Sequence, residues 1–339
     1  MGEIKQMRQR NQEKHTKLKF FSVRRHGAAL RLYMIWAALC FFGFLFLKAP
    51  HVAAQGVSDG LSLCVSSVIP ALFPFMVISG IAAASGLCSS AGKILSAPLS
   101  RILGFSAPTA AAFLLGLLSG FPVGAVSVIT LYQSGQIERS EAEFAIGLCN
   151  NTGPAFLIGY LGTRLWGDPG VGMLLWICQA LAALTAGFVF RKIWLGKNRF
   201  QAAAAPTKPF RIGEISRVIS GCAQNLLAVC GFVVFFTVLQ TTLRTCLSSF
   251  AETVPHAVWG LFSGLIEITS GLAAAAGDGS LPFLAVSAFI VGWAGSCVHL
   301  QVMYFAAESG LRMRRYFLEK LLCGGLTALF AYFAAILFR

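Results

Sequence analysis

The sequence predicts an all-α protein that crosses a membrane several times. Its 339 residues are 56% hydrophobic and only 12% charged, with a mean hydropathy of +0.72. Soluble domains carry about 25% charged residues. The motif Gly-Leu-x-Ser-Gly occurs twice, at residues 116–120 and 260–264, and both copies lie in apolar sequence. The offset of 144 residues predicts two related halves, and paired breaks in such halves are typical of the substrate sites of transporters.

The net charge of +14 is concentrated in a few segments that separate the apolar stretches. Residues 1–31, 191–217 and 312–315 hold most of the Lys and Arg residues. Cytoplasmic loops of membrane proteins are enriched in these residues, so the three segments are predicted to be cytoplasmic. Nucleic-acid binding requires a basic face on a soluble domain, and nucleic acid is therefore excluded as a partner. The segment 191–217 could also contact lipid headgroups.

The apolar stretches predict about seven spans and two re-entrant hairpins. The spans are 32–47, 69–85, 145–161, 171–190, 219–240, 283–306 and 321–338. The hairpins are 108–131 and 258–276, and their arms of about ten residues are shorter than the roughly twenty needed to cross a bilayer. Segments 145–161 and 283–306 are interrupted and are predicted to cross as broken helices.

These elements divide the chain into five predicted parts. They are a basic cytoplasmic segment 1–31, a first transmembrane anchor 32–54, a first repeat 55–190, a basic cytoplasmic linker 191–217 and a second repeat 218–339. The loop charges place the N-terminus in the cytoplasm and the C-terminus on the opposite side, so the two repeats are predicted to be inverted. The long basic N-terminus favours an uncleaved anchor, although Ala53 and Ala54 leave cleavage open.

Four breaks interrupt the predicted helices, at residues 119–124, 150–154, 263–271 and 292–297. Non-helical backbone is tolerated at membrane depth only inside protein or beside a cavity. Helix N-termini at such breaks expose N–H groups that attract carboxylates. The breaks therefore predict a site for a small anionic solute. The predicted substrate-binding residues are Ser119, Gly120, Pro122, Gly124, Asn150, Asn151, Thr152, Gly153, Ser263, Gly264, Glu267, Thr269 and Ser296.

Glu267 is an ionisable residue inside the second predicted hairpin, where a charge is costly and points to function. It could carry a coupling proton, contact the substrate or serve as a structural hydrogen-bond partner. His299 follows the last break and is interpreted as a satisfied core residue. Trp293 could stack on a planar solute.

No arrangement of residues typical of catalysis or metal binding is visible in the sequence. The ten cysteines are scattered without a Cys-x-x-Cys pair, which indicates small buried apolar residues rather than disulfides or a zinc site. The chain is therefore predicted not to be an enzyme and to use no metal or cofactor.

Three segments resemble a known family. They are Val-Ile-Pro-Ala-Leu-Phe-Pro-Phe at 68–75, Leu-Ser-Gly-Phe-Pro-Val-Gly-Ala at 118–125 and Cys-Asn-Asn-Thr-Gly-Pro-Ala-Phe at 149–156. They are similar to the sporulation integral membrane protein YlbJ family, within the wider group that carries nucleoside-recognition or gate modules. The resemblance covers about residues 55–338. It implies a protein of the mother-cell-derived outer forespore membrane that moves dipicolinic acid toward the forespore.

The leading hypothesis is a secondary transporter for a small carboxylate, which the resemblance makes dipicolinic acid. One alternative is a transporter of nucleosides or of another small solute. A second alternative is a non-transporting membrane scaffold or gate subunit of sporulation. A coupling proton, a coupling sodium ion and a facilitated route are all compatible with the sequence, as is a homo-oligomer in the lipid bilayer.

Overall fold

The computed structural model describes residues 32–34, 36–37, 39–85, 97–194, 200–201, 212–275 and 280–337. The predicted cytoplasmic segment 1–31 and most of the linker 191–217 lie outside the described residues. The chain separates into two units, Met1–Ala53 and Ala54–Arg339. In the first unit, residues 39–48 are helical. Everything below concerns the second unit.

The first half of the second unit is a series of α-helices with two π-helical segments. The elements are α1 (Pro50–Leu63, which begins in the first unit), a π-helical turn (Cys64–Val68), α2 (Ile69–Ala84), α3 (Ala107–Ser119), α4 (Val123–Gln133), α5 (Arg139–Ala145), a π-helix (Ala155–Trp166) and α6 (Pro169–Trp194). Residues 97–102 are also helical.

The second half follows a similar order. Its elements are α7 (Ile212–Cys246), α8 (Ser248–Thr253), α9 (His256–Ile266), α10 (Ile268–Ala275), α11 (Leu281–Trp293), α12 (Gly295–Ala306), a 3-10 turn (Ala307–Ser309) and α13 (Arg314–Leu337).

The prediction of an all-α protein with several spans is confirmed. Four of the described helical segments are long and apolar enough to cross a membrane: α6, α7, Leu281–Ser309 and α13, or five if the bent N-terminal pair counts as one span. The count of seven spans and the inversion of the repeats stay predictions. Helix α13 begins at Arg314, seven residues before the predicted span at 321–338.

Both predicted hairpins are antiparallel pairs of short helices. In the first hairpin, formed by α3 and α4, a Cβ on Gly124 would lie 2.8 Å from Cα of Gly116. In the second hairpin, formed by α9 and α10, Gly271 packs on Gly264, and a Cβ on Gly260 would lie 2.8 Å from Cα of Ala275. The first glycine of each duplicated motif is therefore a contact between the two arms, because only a residue without a side chain fits there.

Two apolar cores hold the broken segments. The first core joins the first hairpin, α5, residues 146–149, α6, α12 and α13. The second core joins the π-helix, α6, α10, α11 and α13. Because α6 and α13 contribute to both cores, the two breaks are packed into one continuous body.

Candidate functional site

The tip of the first hairpin rests directly on the break in the first broken helix. Gly120 ends α3 with a φ of 87°, a conformation that favours glycine. A Cβ on Gly120 would lie 2.8 Å from the backbone nitrogen of Gly153, and one on Gly153 would lie 3.1 Å from the carbonyl group of Ser119. The cis peptide before Pro122 completes the turn into α4. Backbone therefore meets backbone at this contact.

A second backbone contact lies one turn away from the tip. The Cβ positions of Gly116 and Gly124 both point at the carbonyl oxygen of Cys149, and a methyl group at either position would overlap that oxygen. We call Gly116, Gly124 and the Cys149 carbonyl the glycine clamp. It fixes the first hairpin against the broken helix, just before residues 150–153.

The three polar residues of the first break are buried and are held by different neighbours. Asn150 donates from Nδ2 to the hydroxyl of Tyr316 at 3.3 Å. Asn151 donates to the carbonyl of Leu148 at 2.7 Å, and its Oδ1 accepts from Nε2 of Gln179 at 3.2 Å. These bonds stabilise the non-helical backbone, since buried polar groups require partners.

Thr152 joins the first break to the second half of the chain. Its hydroxyl donates to the carbonyl of Val291 at 3.2 Å, two residues before the end of α11. Tyr160 makes a parallel link, since its hydroxyl donates to the carbonyl of Thr269 at 3.3 Å. The two halves are thus hydrogen-bonded to each other beside their breaks.

A polar face of α13, which was not predicted from the sequence, completes the first break. Tyr316, Glu319 and Lys320 are fully buried. Lys320 donates from Nζ to the carbonyl of Asn150 at 2.7 Å. The hydroxyl of Tyr316 also lies 2.8 Å from Nδ1 of His299. The spacing of residues 316, 319, 320 and 323 on one helix face could have revealed it, but the neighbouring arginines made this stretch resemble a loop.

Several buried polar atoms around the first break make no hydrogen bond within the described part of the chain. They are Oγ of Ser119, Oδ1 of Asn150, Oε1 of Gln179, Nε2 of His299 and both carboxylate oxygens of Glu319. Such groups are costly unless a partner arrives. Because the hydroxyl of Tyr316 can donate or accept, the Asn150 amide can present either its oxygen or its NH₂ group to a solute.

The tip of the second hairpin is closed by its own carboxylate. Glu267 interrupts the helix with extended backbone, and its two oxygens accept the N–H groups of Thr269 at 2.9 Å and of Ser270 at 2.7 Å. These are N–H groups from the first turn of α10, so Glu267 caps that helix and satisfies its positive end. Of the roles open to Glu267, the structure supplies the structural one.

The remaining predicted residues of the second half are held by packing and hydrogen bonds. The carbonyl of Ser263 accepts from Nε2 of Gln240 at 2.8 Å, and its hydroxyl lies 3.4 Å from Oε1 of the same side chain. Gly264 packs against Ile290 as well as Gly271. Ser296 donates to the carbonyl of Leu265 at 2.9 Å, which ties the second tip to the second break. That break consists of Ala294 and Gly295, both with positive φ.

Three other helices begin at the breaks without a side-chain cap. They are α4 after Pro122, the π-helix after Pro154 and α12 after Ala294. The N-termini of α4 and of the π-helix adjoin the contact between Gly120 and Gly153, and Lys320 bonds to the carbonyl of Asn150 just before that contact. The predicted residues therefore form two groups: Ser119, Gly120, Pro122, Gly124 and 150–153 around the first break, and Ser263, Gly264, Glu267, Thr269 and Ser296 around the second.

A cavity of about 320 Å³ lies along α4, between α2 and α7. It extends from Val123, next to the first tip, to Ser134 beyond the far end of α4. Its polar lining includes Ser79, Ser127, Thr130 and Asn225. No group of three His, Cys, Asp or Glu side chains among the described residues could hold a metal ion.

The chain is 27% identical to the sporulation integral membrane protein YlbJ of Bacillus subtilis (strain 168), over 85% of this chain and 80% of that protein. The chain is therefore similar to YlbJ along most of its length. No protein-family model and no solved structure matches the chain. The apolar helices and the similarity to an integral membrane protein support a multi-pass membrane protein.

Proposed function

We propose that the chain transports a small dicarboxylate, dipicolinic acid, across the outer forespore membrane during sporulation. One observation carries the proposal: the ammonium group of Lys320 is fully buried and is bonded to the carbonyl of Asn150, in the middle of a broken helix. A buried cation inside a membrane bundle is expensive, and such residues mark ion and substrate pathways.

The chemistry around Lys320 suits a carboxylate. An ammonium group has three N–H donors, and one of them is directed at Asn150. The hydroxyl of Ser119 and the uncapped N-termini of α4 and the π-helix add donors and positive potential. Dipicolinate is a planar pyridine with two carboxylates, so it can engage Lys320 and a helix terminus at once.

In the proposal, the cavity along α4 is the route by which the solute approaches the first break. Its volume of about 320 Å³ lies at the lower end of the range of small-molecule pockets, about 300–1,000 Å³. It begins beside Val123, next to the tip at Gly120 and Pro122. In the proposed topology, the repeats are inverted, the N-terminus is cytoplasmic, and the first hairpin and broken helix move together to alternate access.

The test is uptake of labelled dipicolinate into proteoliposomes that contain the full chain. Lys320→Met should reduce uptake at least tenfold, because the substitution removes the buried cation but keeps most of the side-chain volume. Lys192→Met is the matched control: this exposed lysine lies over the ring of Phe188 at the end of α6, and its loss should leave uptake unchanged. Size-exclusion profiles confirm that each variant is folded.

Three results would change the proposal. Uptake that is equal in Lys320→Met and wild type would refute the site at the first break. Competition by nucleosides but not by dicarboxylates would favour the nucleoside alternative. Absence of any flux in folded wild type would favour the scaffold reading, in which the chain recruits partners and moves no solute.

A further inference from the structure

Glu319 is the most unusual ionisable group in the described part of the chain. Its side chain is fully buried, and neither carboxylate oxygen makes a hydrogen bond of normal geometry with a described residue. The carboxylate lies against Gly147, where a Cβ would overlap Oε2. The absence of a side chain at position 147 therefore makes room for an acid beside the first broken helix.

Lys320 does not neutralise this acid by a direct ion pair. Successive residues on a helix point about 100° apart, so Glu319 and Lys320 face different neighbours. Lys320 is directed at the carbonyl of Asn150, whereas Glu319 faces Gly147. The ion pairs found among the described residues are Arg139–Glu143 and Arg217–Glu214. Glu319 is thus a buried acid near a cation that already has another partner.

The groups that face Glu319 are few. Those on its own helix are Arg315, Tyr316, Lys320 and Cys323, and the first broken segment contributes Cys149, with Glu141 behind it. From α12, His299 reaches the same cluster through Tyr316. Helix α11 has no titratable residue, and α6 approaches through Trp194, on which Arg315 stacks at 4.7 Å. Of these groups, Arg315 and Lys320 favour the ionised form of Glu319.

Burial favours the neutral acid, because a poorly hydrogen-bonded carboxylate loses its solvation in a low-dielectric interior. The backbone N–H of Gly147 and the nearby cations oppose this preference. A carboxyl group balanced between the two effects can take up and release a proton when its surroundings change.

We infer that Glu319 binds the proton that drives carboxylate transport, as a symporter. This inference rests on the proposed function and deepens it. When Glu319 takes up a proton, its carboxylate becomes a neutral carboxylic acid, and Lys320 is left as an uncompensated positive charge. The substrate anion then binds more tightly, and by reciprocity the bound anion strengthens proton binding. Release of the anion on the other side returns the proton to solution.

Glu267 supplies the matched comparison. It is the other buried acid beside a break, but its two oxygens hold N–H groups of α10. Both oxygens of Glu267 are thus occupied within its own hairpin, whereas neither oxygen of Glu319 has such a pair of bonds among the described residues. Glu319 and Glu267 can therefore be tested with the same isosteric change to Gln.

The experiment measures dipicolinate accumulation in proteoliposomes under an inward proton gradient, with the membrane potential clamped. One pH unit stores the free energy for about tenfold accumulation at one proton per anion. Wild type and Glu267→Gln should approach this value. Glu319→Gln should lose the accumulation, yet should keep exchange of internal for external dipicolinate, because Gln imitates the protonated acid. Glu319→Asp, which remains titratable, should keep gradient-driven uptake with a shifted pH dependence.

A second measurement does not require transport. Infrared difference spectra of the purified full chain, taken against Glu319→Gln, should show a protonated carboxyl band that disappears as the pH is raised. The band should strengthen when dipicolinate is added. If it is present but wild type moves no dipicolinate, the proton site stands and the transport proposal fails. Uptake by wild type that ignores the gradient, or a wild-type spectrum without the band, would overturn the assignment of Glu319.

Discussion

The two halves carry the same Gly-Leu-x-Ser-Gly motif, yet their hairpin tips differ in what they leave open. In both halves a glycine-packed hairpin rests its tip on a broken helix. At the second tip, Glu267 occupies the helix N-terminus with its own carboxylate. At the first tip, Ser119 has no hydrogen-bond partner within the described residues, and Lys320 lies beside the break. The N–H groups of the second tip are satisfied by its own carboxylate, whereas the first tip is the one to which the proposed function assigns the anion.

The difference indicates what the motif encodes. Its glycines allow close contact between hairpin arms in both halves, so the repeat specifies packing. The residues that distinguish the halves lie elsewhere, in Glu267 on one side and in α13 on the other. Binding therefore follows from the surroundings of a shared scaffold.

The largest effect is expected at the glycine clamp. Gly124→Ala would place a methyl group on the carbonyl oxygen of Cys149 and 2.8 Å from Cα of Gly116, and backbone cannot move aside cheaply. We expect a loss of about 3 kcal/mol, at the upper end for overpacked cores. The loss of stability is measured by heating both proteins in detergent and recording how much of the monodisperse size-exclusion peak remains.

Gly325→Ala is the control for this substitution. A Cβ at position 325 would have no heavy atom of the described residues within 4 Å, apart from the nearby backbone of its own helix. Alanine in a helix interior should be neutral or stabilising there, by about 0.5–1 kcal/mol. Equal stability of the two variants would show that the glycine clamp does not hold the first hairpin against the broken helix.

Removal of the Glu267 cap at the second hairpin tip should have the next largest effect on stability. Glu267→Gln keeps one acceptor oxygen but loses a charge-assisted bond to α10, which should cost about 1.5 kcal/mol. KM for dipicolinate should not change, because the proposed site lies at the first tip. Glu252→Gln, on an exposed position of α8, serves as the control. A raised KM in Glu267→Gln alone would give the second tip a substrate role.

The two motif serines offer a direct comparison of the tips. Ser263→Ala removes a hydroxyl that lies 3.4 Å from Oε1 of Gln240 and should cost about 1 kcal/mol in stability without affecting KM. Ser119→Ala removes a hydroxyl that has no hydrogen-bond partner among the described residues, so the stability of the variant should be unchanged while its KM for dipicolinate rises several-fold. Thermal melting in detergent measures the stability of each variant, and uptake kinetics measure its KM for dipicolinate. The opposite pattern would reverse the assignment of the open tip.

The smallest expected effect on stability concerns Glu143 of α5, which accepts hydrogen bonds from Arg139 and from the backbone of Arg312 in the loop before α13. Burial acts to raise the pKa of Glu143, but the Arg139 guanidinium and the Arg312 backbone N–H outweigh it and lower the pKa below its ordinary 4.5. A lowered pKa adds stability above the unfolded value that is lost as the pH falls through the folded one. We expect about 0.5 kcal/mol, since Arg139 is half exposed.

Glu143→Gln should remove this pH dependence: the variant should be less stable than wild type by about 0.5 kcal/mol at pH 7, and the difference should vanish as the pH falls well below 4.5. Melting of both proteins across the acid range is the measurement. An unchanged acid profile in the variant would assign the loss of stability to other carboxylates.

The sequence anticipated the hairpins and breaks because glycine and proline interrupt apolar runs there. The predicted hairpins 108–131 and 258–276 correspond to Ala107–Gln133 and His256–Ala275. It did not anticipate Glu319 and Lys320, because hydropathy treats charged residues next to Arg314 and Arg315 as loop. Nor could it separate capping from binding at Glu267, since that depends on which N–H groups the carboxylate reaches in three dimensions.

The glycine clamp also determines where the molecule can bend. At the clamp, main chain touches main chain, and no rotatable side chain lies between that could yield. The first hairpin and the broken helix are therefore held together as one rigid unit at the clamp. On its other side, α4 faces α2 and α7 across the cavity, through contacts that include Met76, Cys222 and Leu226. In the proposed function, a change of access would leave the clamp intact and would be accommodated at this apolar contact between α4, α2 and α7.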